Sequence, residues 1–212
     1  MKKPSPLAIT LTILAVITGA LVALSGFYVD WLWFNSVGFT GVWSTVLTTK
    51  VALFVIAGLL TSLIISLNVY IAFRRRPFYV PSSVEADNLE RYRATIDPIR
   101  KLVFAGIVLV LFYFGGTSAS NLWGSWLLFS NSTEFGVKDP QFGLDISFFA
   151  FRLPFFQTLI GWGISTLILA TLASAAVHYL YGGIRPQVPQ ERTTVAARVQ
   201  LSVLLGLVVL LK

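Results

Sequence analysis

The hydrophobic positions fall into long unbroken blocks rather than into an alternating or amphipathic pattern. Leu7–Val29 is the first, and about 34 Å of helix at 1.5 Å per residue is enough to cross a hydrocarbon core of about 30 Å. Val46–Phe73, Leu102–Leu122 and Leu153–Tyr181 are three more blocks of spanning length. A fifth begins at Val199 and runs only to Leu211, about 20 Å of helix, too short to cross. The pattern predicts an all-α fold, a polytopic transmembrane helix bundle with short interfacial helices, and no soluble core. Because the fifth block runs out at Lys212, we expect residues 1–212 to be the N-terminal transmembrane domain of a longer protein.

The segments between the blocks carry the punctuation. Asp30–Thr45 holds Trp31, Trp33, Phe34, Phe39 and Trp43 and reads as an interfacial connector, since aromatic rings sit well at the lipid–water boundary. Arg74–Lys101 is strongly basic, and Pro81-Ser-Ser-Val-Glu85 predicts the cap of a short amphipathic helix ending near Thr95. Trp123 and Trp126 mark the end of the third block, and Leu127–Gln141 reads as loop. In the Phe-rich stretch that follows, Asp139-Pro140 favours a turn, Gly143 a second bend, and Asp145 a cap for a helix from Ile146. Phe148, Phe149 and Phe151 then lie on a short interfacial helix, and Pro154 forces a break or a new helix start. Gly182-Gly183 ends the fourth span. Small residues at four-residue spacing, namely Ala15/Gly19/Ala23, Gly58/Ser62/Ser66 and Gly116/Ser120/Gly124, predict faces where helices approach closely.

Composition agrees with a membrane class: 56% of residues are hydrophobic and only 12% charged. The net charge of +7 is topological rather than a nucleic-acid footprint. With the N-terminus inside, Lys2, Lys3, Arg74–Arg76, Arg91, Arg93, Arg100, Lys101, Arg185, Arg192 and Arg198 are cytoplasmic, and only Lys50, Lys138 and Arg152 lie outside. The positive-inside rule therefore predicts a multi-pass protein of the cell's inner (plasma) membrane with a cytoplasmic N-terminus, which puts the Phe-rich stretch outside.

Two segments carry a family resemblance. Val29-Asp-Trp-Leu-Trp-Phe-Asn-Ser-Val-Gly38 and Asp139-Pro-Gln-Phe-Gly-Leu-Asp-Ile-Ser-Phe-Phe-Ala-Phe-Arg-Leu-Pro-Phe155 resemble the N-terminal membrane region of uncharacterised protein family 0182 (UPF0182), bacterial multi-pass membrane proteins. The resemblance covers essentially the whole chain. It implies a protein several times longer, with a large extracytoplasmic part beyond these residues, and it implies no activity.

Candidate chemistry is sparse. Without Cys, disulfides, thiolate metal sites and thiol catalysis are excluded. His178 is the single histidine, and a metal site needs three or four convergent ligands. Asp139 and Asp145, with Glu134 and Lys138 nearby, form the one candidate carboxylate pair, and supporting a turn and capping a helix account for both. Lys50 lies near a span end, where it can snorkel to the surface. There is no nucleophile elbow and no phosphate loop. The sequence nominates no catalytic, cofactor-binding or metal-ligating residue, and we expect no enzyme activity and no cofactor. The expected role is a membrane anchor or scaffold of a larger envelope protein, with membrane lipids and a membrane-protein partner or second copy as partners and no nucleic acid. The alternative is a transporter or lipid-handling protein.

Overall fold

In a computed structural model of the chain, residues 5–77, 95, 97–186 and 192–212 are described. The amphipathic helix expected after Pro81 lies outside the described residues, apart from Thr95. The described residues contain six α-helices: α1 Pro6–Ser36, α2 Thr40–Arg74, α3 Arg100–Ser120, α4 Trp123–Ser130, α5 Leu153–Leu180 and α6 Val195–Leu211. A 3-10 turn, Asp97–Ile99, leads into α3, and a π-helical turn, Phe148–Arg152, leads into α5. No strand forms among the described residues. Among the described residues four helical stretches, Pro6–Ser36, Thr40–Arg74, Arg100–Ser120 and Phe148–Leu180, are long and apolar enough to cross a membrane.

The chain divides into two units at Thr49/Lys50, inside α2. In the first unit, α1 starts at Ser5, whose hydroxyl accepts the Ala8 N–H at 3.2 Å, with Pro6 in the first helical position. It runs seven residues beyond the expected end at Val29, so the aromatic connector is largely helix. Nothing between Asp30 and Ser36 breaks a helix; the break comes at Gly38, with φ 77°. Its N–H donates to Asn35 O and the Phe39 N–H donates to Phe34 O, closing a Schellman turn. The Phe27 and Trp43 rings meet edge to face, 5.0 Å apart, across that turn.

The second unit is built on close antiparallel packing. Phe54 and Gly58 on α2 face Gly116 and Phe112 on α3, each glycine lying against the other helix's phenylalanine. A Cβ on Gly58 would stand 2.7 Å from Phe112 O, and one on Gly116 2.6 Å from Phe54 O. The Phe54 and Phe112 rings cross at 88°, 5.3 Å apart, in the gap between the two glycines. One step along, Gly115 lies against Thr61, whose hydroxyl accepts the Trp162 indole N–H of α5 at 3.1 Å. Small residues thus let three backbones approach, as is usual between helices in lipid. Gly19 and Gly124, of the other expected faces, have nothing within 4 Å of a would-be Cβ.

Helix α5 presents Thr166, Ala170, Ser174 and His178, one per turn, to α2 and α6, and all four are buried. Ala170 meets Ile65 and Leu204 in the small core of this unit. Helix α6 starts four residues earlier than expected because the Thr194 side chain caps it, accepting the Ala197 N–H at 3.3 Å. The α5 end does follow expectation: Gly182 is left-handed at φ 74°, and its N–H and that of Gly183 donate to Tyr179 O and His178 O.

Candidate functional site

Two places gather polar groups. The first is the loop between α4 and the π turn. Its start differs from expectation, since Leu127–Ser130 is the last turn of α4 rather than loop; the Asn131 side chain donates to Leu127 O at 2.9 Å and closes that helix. The loop then folds back on itself. The Asp139 N–H donates to Leu144 O at 2.8 Å, Gly143 N–H to Asp139 O at 2.9 Å, and Ile146 N–H to Val137 O at 3.0 Å.

Both carboxylates are spent on the backbone. Asp139 Oδ2 accepts the N–H groups of Gln141 and Phe142 at 3.0 and 2.7 Å, the expected turn. Asp145 caps the helix from Ile146 as expected, with Oδ1 accepting the Ser147 N–H at 2.8 Å. It does more: Oδ1 also accepts from Phe135 at 3.1 Å and Oδ2 from Gly136 at 2.9 Å, fastening the start of the loop to its end. The Ser147 hydroxyl first, then the N–H groups of Ser147, Phe135 and Gly136, draw the Asp145 pKa down from 3.8 to about 2, against the opposing effect of partial burial. Glu134 and Lys138 are exposed. Asp139 and Asp145 therefore close different turns of one hairpin-like loop.

At the end of that loop Pro154 stands in the first turn of α5, the expected helix start, while the π turn before it keeps the chain helical across the junction. A straight α-helix would drive its ring into the carbonyl of Ala150. The chain instead widens by one residue, so the Leu153 N–H donates to Phe148 O, and helix is continuous from Ile146 to Leu180. Arg152, in the π turn, donates through Nε to Ser132 Oγ at 3.0 Å. Helix α2 starts at Thr40 rather than at the expected Val46, so Lys50 lies inside that helix and not near its end; it stands over the Trp123 ring at the start of α4, 5.6 Å from the centroid, a cation–π contact.

The second place is buried. His178, 1% exposed, lies with Ser174, Gln200 and Asn68 where α5, α6 and α2 meet. Gln200 Nε2 donates to the backbone oxygen of Asn68 at 2.9 Å. That oxygen only accepts, so the other end of the amide, Oε1, faces His178 Nε2 at 3.0 Å. The imidazole then donates from Nε2. No hydrogen bond reaches Nδ1, nor the buried Ser66 Oγ. What Nδ1 does meet is Gly183: a Cβ there would stand 2.8 Å away, so a Cα hydrogen points at the ring nitrogen. His178 is hydrogen-bonded and shut away from solvent, because the α5 end folds over it. The cluster carries no signal in local spacing, since Asn68, His178 and Gln200 are far apart in the chain.

At the same end of the unit, the Arg76 guanidinium lies 4.1 Å from the centroid of Phe73 and 5.4 Å from that of Tyr181, and these two rings meet edge to face.

No solved structure matches this chain. Sequence relatives are numerous. A UPF0182 protein of Streptomyces coelicolor is 45% identical over 206 residues, covering 97% of this chain and 21% of its own length. One from Thermobifida fusca is 46% identical over 200 residues, 94% of this chain and 20% of its own. One from Nocardioides sp. is 42% identical over 211 residues, 100% of this chain and 21% of its own. The chain thus spans about one fifth of the length of these curated relatives. Residues 7–212 match the family described as "Uncharacterised protein family (UPF0182)", and the chain belongs to that family.

Proposed function

We propose that this chain is the multi-pass membrane region of a larger bacterial envelope protein, an anchor and scaffold that packs with protein partners and is not itself an enzyme. The observation that carries the reading is where its polar groups go. Asp139 and Asp145 hold loop backbone, and Gln200 ties His178 to α2. Thr61 receives Trp162, and glycines set the helix spacing. These are the means by which a bundle in lipid fixes one packing. The placement in the plasma membrane with the N-terminus inside rests on the distribution of Lys and Arg.

A chain without cysteine suits single-cysteine labelling. Thr133→Cys, at an exposed position, reacts with an impermeant maleimide on intact cells, and Arg185→Cys reacts only after permeabilisation; the reverse order overturns the orientation. The scaffold role is tested on the full-length protein, purified in native lipid discs. A stoichiometric protein partner held by the helices supports it, whereas lipid or cargo density filling a passage between them overturns it.

The reading as a transporter or lipid-handling protein has one observation in its favour, the polar cluster of Asn68, Ser174, His178 and Gln200 within apolar helices. Gly183 fits closely against the Nδ1 side of the His178 ring.

A further inference from the structure

The loop at 135–149 is polar by function but apolar by surface. Its outward side chains are Phe135, Val137, Phe142, Leu144 and Ile146, and Phe142 at the tip is 63% exposed. An exposed apolar loop in water ordinarily keeps its backbone hydrated. This one depends on water only in part. The N–H groups of Phe135, Gly136, Asp139, Gln141, Phe142, Gly143, Ile146, Ser147 and Phe148 find acceptors within the segment, and Pro140 has none to satisfy, whereas those of Val137, Lys138, Leu144 and Asp145 do not. A backbone satisfied to that extent suits the headgroup boundary, where water still reaches the remaining groups, rather than the hydrocarbon core. The two carboxylates that would resist such a medium are turned onto those N–H groups.

The tip is also joined to the aromatic girdle of the helices. Ring contacts run from Trp126 to Phe129 at 6.0 Å, on to Phe156 at 5.4 Å and Phe148 at 6.4 Å. They continue to Phe149 at 5.4 Å and end on Phe142 at 5.9 Å. Aromatic rings of this kind collect at the headgroup level of a bilayer. Phe142 is the last link of one continuous aromatic surface that begins on the helices.

We propose that this loop is a membrane-docking element: its tip, Phe142 with Val137 and Leu144, enters the boundary between headgroups and acyl chains of the leaflet it faces. The occupant of the apolar face is lipid. The attraction is apolar, because the charges on Glu134–Phe149 are Lys138 against Glu134, Asp139 and Asp145, a net negative set that anionic lipids do not attract. The proposal rests on the membrane reading above, and its test separates the two.

The full chain carrying Gln141→Cys, labelled with an environment-sensitive fluorophore, is reconstituted in phosphatidylcholine vesicles containing lipids with a quencher at a shallow or a deep acyl position. Leu63→Cys, exposed midway along α2, reports on the span itself. Shallow lipid quenchers are expected to quench the 141 reporter more than aqueous iodide does, and deep ones the 63 reporter. Adding Phe142→Ser should lower lipid quenching at 141 by at least about twofold and leave site 63 unchanged. Replacing a third of the lipid by phosphatidylglycerol, or raising salt, should change neither. A 141 reporter open to iodide beside a lipid-quenched 63 reporter overturns the docking proposal alone. An iodide-accessible 63 reporter overturns the membrane reading. Protection at 141 that grows with protein-to-lipid ratio assigns the face to a second copy and overturns the proposal. Protection that requires anionic lipid overturns the apolar mechanism.

Discussion

Replacing Gly116 by Ala tests the packing of α2 on α3 most directly. The added Cβ would stand 2.6 Å from Phe54 O and 2.7 Å from Phe54 Cδ2, about 0.8 Å short of ordinary contact. The ring can swing aside; the carbonyl is part of helix α2 and moves only with it. Backing the two helices apart by that amount forfeits a quarter to a half of the dispersion well for every pair across the seam. That includes the reciprocal contact of Gly58 with Phe112 and the edge-to-face Phe54–Phe112 pair. Overpacking of this kind costs about 1–3 kcal/mol. Against it, Ala is a better helix former than Gly by about 1 kcal/mol. The net expectation is destabilisation of the order of 1 kcal/mol. Gly106→Ala on the same helix is the control, because nothing lies within 4 Å of its would-be Cβ and only the helix-propensity gain applies. The two variants should therefore differ by about 2 kcal/mol, a factor of roughly 30 in the unfolding equilibrium. Reversible unfolding in mixed dodecyl sulfate and maltoside micelles, followed by helicity and Trp fluorescence, measures the difference. If Gly116→Ala is as stable as Gly106→Ala, the helices do not meet through this seam and the packing argument is wrong.

Three further outcomes follow from other contacts. Gly183→Ala puts a Cβ 2.8 Å from His178 Nδ1 and should destabilise the α5–α6 pair; His178→Ala removes the ring but keeps the Cβ and carbonyl oxygen 3.2 Å away, so the double variant should be less destabilised than the sum of the singles by about 0.5 kcal/mol or more, and a coupling of zero refutes the ring contact. His178→Leu leaves Gln200 Oε1 without its donor, yet interhelical hydrogen bonds in membranes average only about 0.6 kcal/mol, so the loss in micelle unfolding should stay near about 1 kcal/mol; a collapse of the fold would mean the cluster carries more than one bond. The Asp145 carboxylate is stabilised in the folded loop, so its contribution is complete above about pH 4 and fades as pH falls toward about 2. Amide exchange at Phe135 and Gly136 should accelerate across that window in the parent and show no such pH step in Asp145→Asn.

The spanning helices were legible because hydrophobic length alone sets them, and the charge between them suggests an orientation. The turn at Asp139 and the cap at Asp145 were legible because each acts within three residues of itself. The sequence was misleading where aromatic content stood in for a boundary: Asp30–Ser36 is rich in Trp and Phe, but only Gly38 stops that helix. The reach of Asp145 back to Phe135, and the meeting of Asn68 with Gln200, depend on how distant segments fold together, and no local spacing encodes them. The α2–α3 seam lies between. Phe54 and Gly58, and Phe112 and Gly116, repeat one four-residue motif on two helices, and that repetition was available as a pattern of large next to small.

The π turn before α5 has a consequence for how this segment can change in length. One residue advances an α-helix by about 100°. Phe148–Arg152 holds one residue more than an α-helical turn would. Deleting Ala150 would let the segment relax to α geometry with the helix unbroken and the loop at nearly its present angle, because four α-helical residues sweep about the same arc as five in the wider π turn. Closing the turn to α geometry with every residue kept is what would carry the loop round the axis by about a quarter turn and take Phe148 off Phe156, and the clash of the Pro154 ring with the Ala150 carbonyl forbids it. Pro154 and the extra residue thus act together as an indexing pin: the wide turn holds the angular setting at which the docking loop meets the helix it feeds.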